Sequence, residues 1–325
     1  MLSHPITRRR AIAPLLLATA GPALAQLLPD SKPIKIVVIV APGGSADFTA
    51  RLLAEKLQDR LNRTVIVENK PGAGGNLATA FVAKAPADGT TLLLTSNNHN
   101  VNSVLFRDPG YDPRRNFAAI SQIVRGPSVL VVNPKVPVTT LREYIELSKA
   151  KPKSMFYATY GLGSAAHIAG ELLKSSTHAD IEHVPYKGAG PALTEVIGGS
   201  VPSGILSLFA ASNHIKAGKL RAIAVFSEQR WPGAPEIPTV SESGCDDACY
   251  DIWLGLFAPA GTPSQLVTRL NREVRVVLSD PETAERLKKQ GMAPTGETAE
   301  QFDAFLQKES VMVAKLIAEA GITPQ

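Results

Sequence analysis

Apolar positions along this chain alternate between two patterns. From Ile34 to Val40 they are nearly continuous and β-branched, as suits a strand covered on both faces. Ala50, Leu53, Leu57 and Leu61 then recur at helical spacing. Between the two stands Pro42-Gly43-Gly44, with Ser45 placed to cap the helix. The pattern predicts a strand, a glycine loop and a helix start. Unpaired N–H groups at such a start carry partial positive charge, and glycine lets a ligand approach them closely. Gly43, Gly44 and Ser45 thus form a candidate anion cradle that needs no cationic side chain.

The unit repeats. A second strand over 64–68 leads through NKPGAGGN into a helix over 77–84. Leu77 stands where a dinucleotide fingerprint would carry its third glycine, which argues against a nicotinamide cofactor. A third strand over 90–95 ends in Ser96-Asn97-Asn98-His99-Asn100. This polar cluster lies at a strand's carboxyl end, where open α/β sheets hold ligands, and its plain alternative is a solvated loop. An extended stretch over 117–132 is interrupted by Arg125-Gly126-Pro127, and Thr139-Thr140 caps a helix through Ala150.

The cradle pattern returns in MFYATYGLGS, where Thr159, Tyr160, Gly161 and Gly163 lead to Ser164 as the expected N-cap of a helix carrying Ile168, Leu172 and Leu173. It returns again in VPYKGAGP, where Tyr186 and Lys187 precede the glycines and Pro191 is the expected first helical residue. Strands follow over 201–208 and 220–226, with 213–218 between them. The chain closes with a strand over 252–258 and three helices, the last opened by a Thr298/Gln301 capping box, which are expected to cover the first sheet. Two groups of βα units with extended crossings near 125 and 250 predict two α/β lobes on a hinge. The first comprises 26–126 with 253–325 and the second 127–252.

The chain has 325 residues, 44% hydrophobic and 19% charged, which is long enough for two domains. Residues 1–25 read as an export signal: Arg8-Arg9-Arg10, an apolar stretch, then Ala23-Leu24-Ala25 as the cleavage site. Sec and twin-arginine routes both stay open. Removing that segment takes the formal charge from +5 to +2, so the basic balance belongs largely to the signal. No mature stretch interleaves Lys and Arg with aromatics as nucleic-acid binding requires, and no later apolar segment has membrane-spanning length. Cys245 and Cys249 are expected to close a small disulfide in the oxidising export compartment. Neither belongs to a His/Cys cluster with metal-ligand spacing, so no metal and no cofactor are expected.

The motifs VIVAPGGSADFTAR, VIVENKPGAGGN, VAKAPADGTTLLLTS, GLGSAAHIAGE, HVPYKGAGPALTEVIGG, HIKAGKLRAIAV and LFAPAGTP occur in that order. The chain resembles the tripartite tricarboxylate transporter receptors, the Bug family of periplasmic solute-binding proteins. That resemblance implies a two-lobed, type II-like Venus-flytrap fold, each lobe a mixed sheet flanked by helices. It implies a periplasmic, monomeric, non-enzymatic receptor that delivers a small carboxylate to large and small membrane subunits. It also implies that loops matching Pro42 to Asp47 and Tyr160 to Ser164 hold one ligand carboxylate; Ser96 and Asn97 of the strand-end cluster, Tyr186 of the third glycine loop and Leu206 are further candidate contacts. Asp47 and His167 match family positions, although Asp47 can instead serve the helix dipole and Arg51, and His167 can cap or pack. Tyr160 stands where relatives often carry a serine. Pro202 and Leu206 replace two acids, which argues against an ammonium-bearing ligand.

Two other readings bear comparison. An exported hydrolase would use Ser164 and His167, but the loop lacks the glycine two residues past the serine that a nucleophile elbow needs, and a base three residues along the same helix is poorly placed. A ligand sensor for a signalling partner would bind by the same chemistry as a transport receptor.

Overall fold

The structure is a computed structural model and describes Met1 and residues 32–319. Met1 aside, the export signal expected over 1–25 lies outside the described residues. The chain begins with β1 (Ile34–Val38), α1 (Ser45–Leu61), β2 (Val65–Asn69), α2 (Asn76–Ala83), β3 (Thr91–Ser96), α3 (Asn98–Leu105) and β4 (Phe117–Gly126). It crosses at Pro127 into β5 (Ser128–Val132), α4 (Leu141–Ala150), β6 (Met155–Thr159), α5 (Ala165–Thr177), β7 (Ile181–Pro185), α6 (Ala189–Gly198), β8 (Ser203–Ser207), α7 (Leu208–Lys216) and β9 (Arg221–Val225). It then returns through β10 (Ile252–Pro259), α8 (Ser264–Ser279), α9 (Pro281–Lys289), β11 (Ala293–Pro294) and α10 (Ala299–Glu319).

Two mixed sheets result, in the orders β11-β4-β10-β3-β1-β2 and β7-β6-β8-β5-β9. In the first, β1 runs parallel to β2 and β3 while β10 is antiparallel to β3 and β4. In the second, β6 runs parallel to β7 and β8 while β5 is antiparallel to β8 and β9. Parallel strands require crossover helices, so the strand-to-helix turns of each sheet gather at one end. Both sheets are buried on both faces. Ile36, Leu53 and Leu270 share one core of the first sheet, and Val37, Trp253 and Phe257 share the other.

Four expectations about elements are corrected. Ser45 is the first helical residue of α1 rather than its cap; Gly44 holds the cap position, and the Asp47 carboxylate reaches back to the Gly43 N–H at 3.1 Å. The cluster after β3 is helical from Asn98 onward and buried, because its amides find internal partners. Pro191 is the third residue of α6, which starts at Ala189, and the 213–218 stretch belongs largely to α7. The Thr140 cap of α4, with its Glu143 capping box, and the Thr298/Gln301 pair both form as expected.

α10 does more than cover the first sheet. Phe302 and Leu306 pack with Trp253 and Phe257, whereas Val313 and Ile317 pack with Tyr157, Ile168 and Leu173 of the second lobe. Between them sits Glu309, buried, accepting from Trp253 Nε1, Asn100 Nδ2, Asn97 Nδ2 and Tyr250 Oη. The cysteines are free thiols, contrary to the expected disulfide. A 3₁₀ turn over Asp246–Ala248 separates them, leaving Cys245 Sγ against the Ser243 carbonyl and Cys249 Sγ against Ser241 Oγ.

Candidate functional site

A cavity of about 230 Å³ lies between the lobes. It is walled by the loop entering α1 (Ala41, Gly44, Ser45, Ala46), the glycine loop before α2 (Pro71 to Gly75), the end of β3 (Ser96, Asn98), the loop entering α5 (Tyr160, Gly161, Leu162, Ser164), the loop entering α6 (Pro185 to Ala189) and Ser207 at the start of α7. Ile39, Val40, Ile252 and Leu254 supply apolar wall. Helix N-termini from both lobes therefore face one space. Lys187 is the single charged side chain among the described lining residues.

The N-termini differ in how much of their hydrogen-bonding capacity is already used. At α1, Asp47 takes the Gly43 N–H and is itself held by Arg51 at 2.9 Å and by Asn69 Nδ2 at 3.0 Å. Burial raises the Asp47 carboxyl pKa, but the bonds from Arg51, Gly43 and Asn69 outweigh it and the net shift is downward. Asp47 is thus the anchor of the loop and does not line the cavity. Among the described residues, the N–H groups of Gly44, Ser45 and Ala46 and the Ser45 hydroxyl have no partner. At α5 the position is reversed. Gly163 N–H donates to His167 Nδ1, Ser164 N–H to the Gly161 carbonyl, Ala166 N–H to Tyr160 Oη and His167 N–H to Ser164 Oγ, each at 3.3 Å.

His167 does not reach the cavity. It stacks on His183 with ring centroids 4.1 Å apart, and His183 holds Thr159 Oγ1 at 2.7 Å, so the pair braces the 159–164 loop from behind. Burial lowers the His167 pKa to about 4; burial and the neighbouring His167 lower that of His183 to about 3.

Of the other expected residues, Ser96, Tyr160, Gly161, Ser164 and Tyr186 line the cavity, while Pro42, Gly43, Thr159 and Gly163 belong to its loops without lining it. Asn97 is buried away from it, joining the Asp251 carbonyl, Trp253 N–H and Glu309. Leu206 packs in the second lobe's core with Val129 and Val225, because β8 alternates faces and it is Ser207 that reaches the cleft. Asn98, expected only as part of the polar cluster after β3, lines the cavity, and Ser207 and the Pro71–Gly75 loop are lining residues that the sequence had not marked as ligand contacts. Asn98 also ties the lobes, donating to the Gly74 carbonyl at 2.9 Å and to the Leu162 carbonyl at 3.2 Å.

The model of the tripartite tricarboxylate transporter family receptor matches residues 49–322. The chain belongs to that family. Protein BugT of Bordetella pertussis is 36% identical over 321 residues, covering 97% of this chain and 98% of the relative. Among solved structures, R. palustris Rpa4515 with adipate is 33% identical with a TM-score of 0.88, covering 91% of this chain and 99% of the other. MatC from Rhodopseudomonas palustris with bound malate is 28% identical with a TM-score of 0.84, covering 88% and 99%. These family members and neighbours are solute-binding proteins rather than enzymes, and their two-lobed fold is the one seen here. As a family receptor, the chain places its cavity where the βα turns of both lobes meet.

Proposed function

We propose that this receptor is exported to the periplasm, captures a small carboxylate in the interlobe cavity and presents it to the large and small membrane subunits of a tripartite tricarboxylate transporter. The observation that carries the reading is the set of unpaired N–H groups at Gly44, Ser45 and Ala46, facing the α6 start and Lys187 across the cleft. Charge-assisted hydrogen bonds to such groups are worth roughly 1.5–3 kcal/mol each, and closure of the lobes removes them from water. Adipate and malate in the relatives Rpa4515 and MatC support the chemical class. Ser45, Ser96, Ser164, Tyr160, Tyr186 and Ser207 are the proposed neighbours of the bound molecule.

Thermal-shift screening of the mature protein against mono-, di- and tricarboxylates, followed by calorimetry, tests this. A concentration-dependent rise in Tm with at least one carboxylate is expected. No shift from any of them, in protein freed of co-purified ligand by unfolding and refolding, refutes the reading.

A further inference from the structure

The two faces of the cleft offer a carboxylate unequal opportunities. At α1, three N–H groups and the Ser45 hydroxyl are unused. They are approached from the other lobe by the start of α6, where a methyl added to Gly188 would stand 3.8 Å from the Ala41 side chain. At α5, the protein itself occupies the N–H groups of Gly163, Ser164, Ala166 and His167, the Ala166 N–H being taken by the phenol oxygen of Tyr160 at 3.3 Å. The Tyr160 ring meanwhile forms cavity wall. The α5 pole is therefore more fully occupied by the protein's own groups than the α1 pole.

Resting on the receptor reading above, we infer that the cavity selects a monocarboxylate with an apolar, ring-sized body, and that Tyr160 sets this choice by standing in for a second ligand carboxylate at α5. The walls agree with it. Ile39, Leu162, Ile252 and Leu254 offer no hydrogen bonds from their side chains, so a second carboxylate placed against them would lose its water without compensation. No Asp or Glu is among the described lining residues, so nothing there answers an ammonium group. A cavity of about 230 Å³ exceeds the roughly 150 Å³ that accommodates a benzene ring and leaves room for one carboxylate beyond it.

Calorimetry with benzoate, 3-methylbutanoate, adipate and malate tests the inference on the wild type and on Tyr160→Phe. That variant keeps the ring, removes only the hydroxyl and frees the Ala166 N–H. The wild type is expected to bind at least one of the two monocarboxylates 10-fold or more tighter than either dicarboxylate, and Tyr160→Phe to narrow that ratio at least 5-fold. A wild type that binds adipate or malate as tightly as the monocarboxylates overturns the inference and leaves the receptor reading standing. An unchanged ratio in a Tyr160→Phe protein with wild-type Tm overturns the role of Tyr160. Failure of all four probes and of the wider carboxylate screen overturns both readings together.

Discussion

Glu309 is a buried carboxyl held by four donors, and its replacement separates two effects that are usually confounded. Its carboxylate accepts from Trp253, Asn100, Asn97 and Tyr250. Asn100 and Asn97 each keep a second acceptor, the carbonyls of Leu306 and Asp251, whereas Trp253 Nε1 and Tyr250 Oη donate to nothing else described. Glu309→Ala thus orphans two buried donors at roughly 1–3 kcal/mol each, giving an expected loss of about 2–6 kcal/mol in urea unfolding. Glu309→Gln keeps one acceptor oxygen and the shape, so it isolates the charge. Burial raises the Glu309 pKa to about 7, against the opposing pull of its hydrogen-bond donors.

The folded state therefore holds a proton that the unfolded state has released, and the contribution is full below about 4.5 and lost as pH rises through about 7. At 1.36 kcal/mol per pH unit, the stability of wild type minus that of Glu309→Gln should fall by about 3 kcal/mol between pH 4.5 and 8. Groups common to both proteins cancel in this difference. A difference that stays flat with pH refutes the reasoning, and an alanine variant within 1 kcal/mol of wild type refutes the account of the orphaned donors.

Other outcomes follow from the cleft. Gly44 has φ −91° and ψ 175°, and a side chain added there meets nothing within 4 Å; Gly44→Val should keep the wild-type Tm yet weaken carboxylate binding at least 10-fold by calorimetry. Ser164→Ala should cost about 1 kcal/mol of stability in chemical unfolding, because its hydroxyl caps α5 and donates to Gly161; unaltered stability would show that the cap is dispensable. Gly163 has φ +72°, and a Cβ there would collide with Asn102 Oδ1 across the lobes, so Gly163→Ala should push the lobes apart, read as a larger radius of gyration by small-angle scattering. His167 and His183 have lowered folded pKa values, about 4 and about 3, so the unfolded state binds protons first and stability should drop as pH falls from about 6.5 towards 4. A His167→Asn/His183→Asn double variant that retains the full acid slope in thermal melts would contradict that assignment.

The periodic segments were legible in the sequence for a physical reason: strands buried on both faces and helices buried on one leave unmistakable apolar patterns, as in 34–61 and 155–173. The three cradle loops were legible because glycine marks where backbone must be bare. What stayed hidden depended on long-range partners. Asn97, Asn98 and Asn100 look like loop residues, and it is partners far away in the chain, the carbonyls of Gly74, Leu162, Asp251 and Leu306 together with Glu309 and the Trp253 N–H, that make them interior. Ser207 in place of Leu206 is a question of strand phase, which the short run before it did not settle. The cysteines show the opposite failure, since proximity in sequence did not orient their side chains towards each other.

α10 gives the hinge a third member. Two strand crossings alone would let the lobes both bend and twist, but a helix rooted at Phe302 in one core and at Val313 in the other resists torsion between them. A bend that keeps both ends of α10 in place is thereby easier for the lobes than a twist about the crossings.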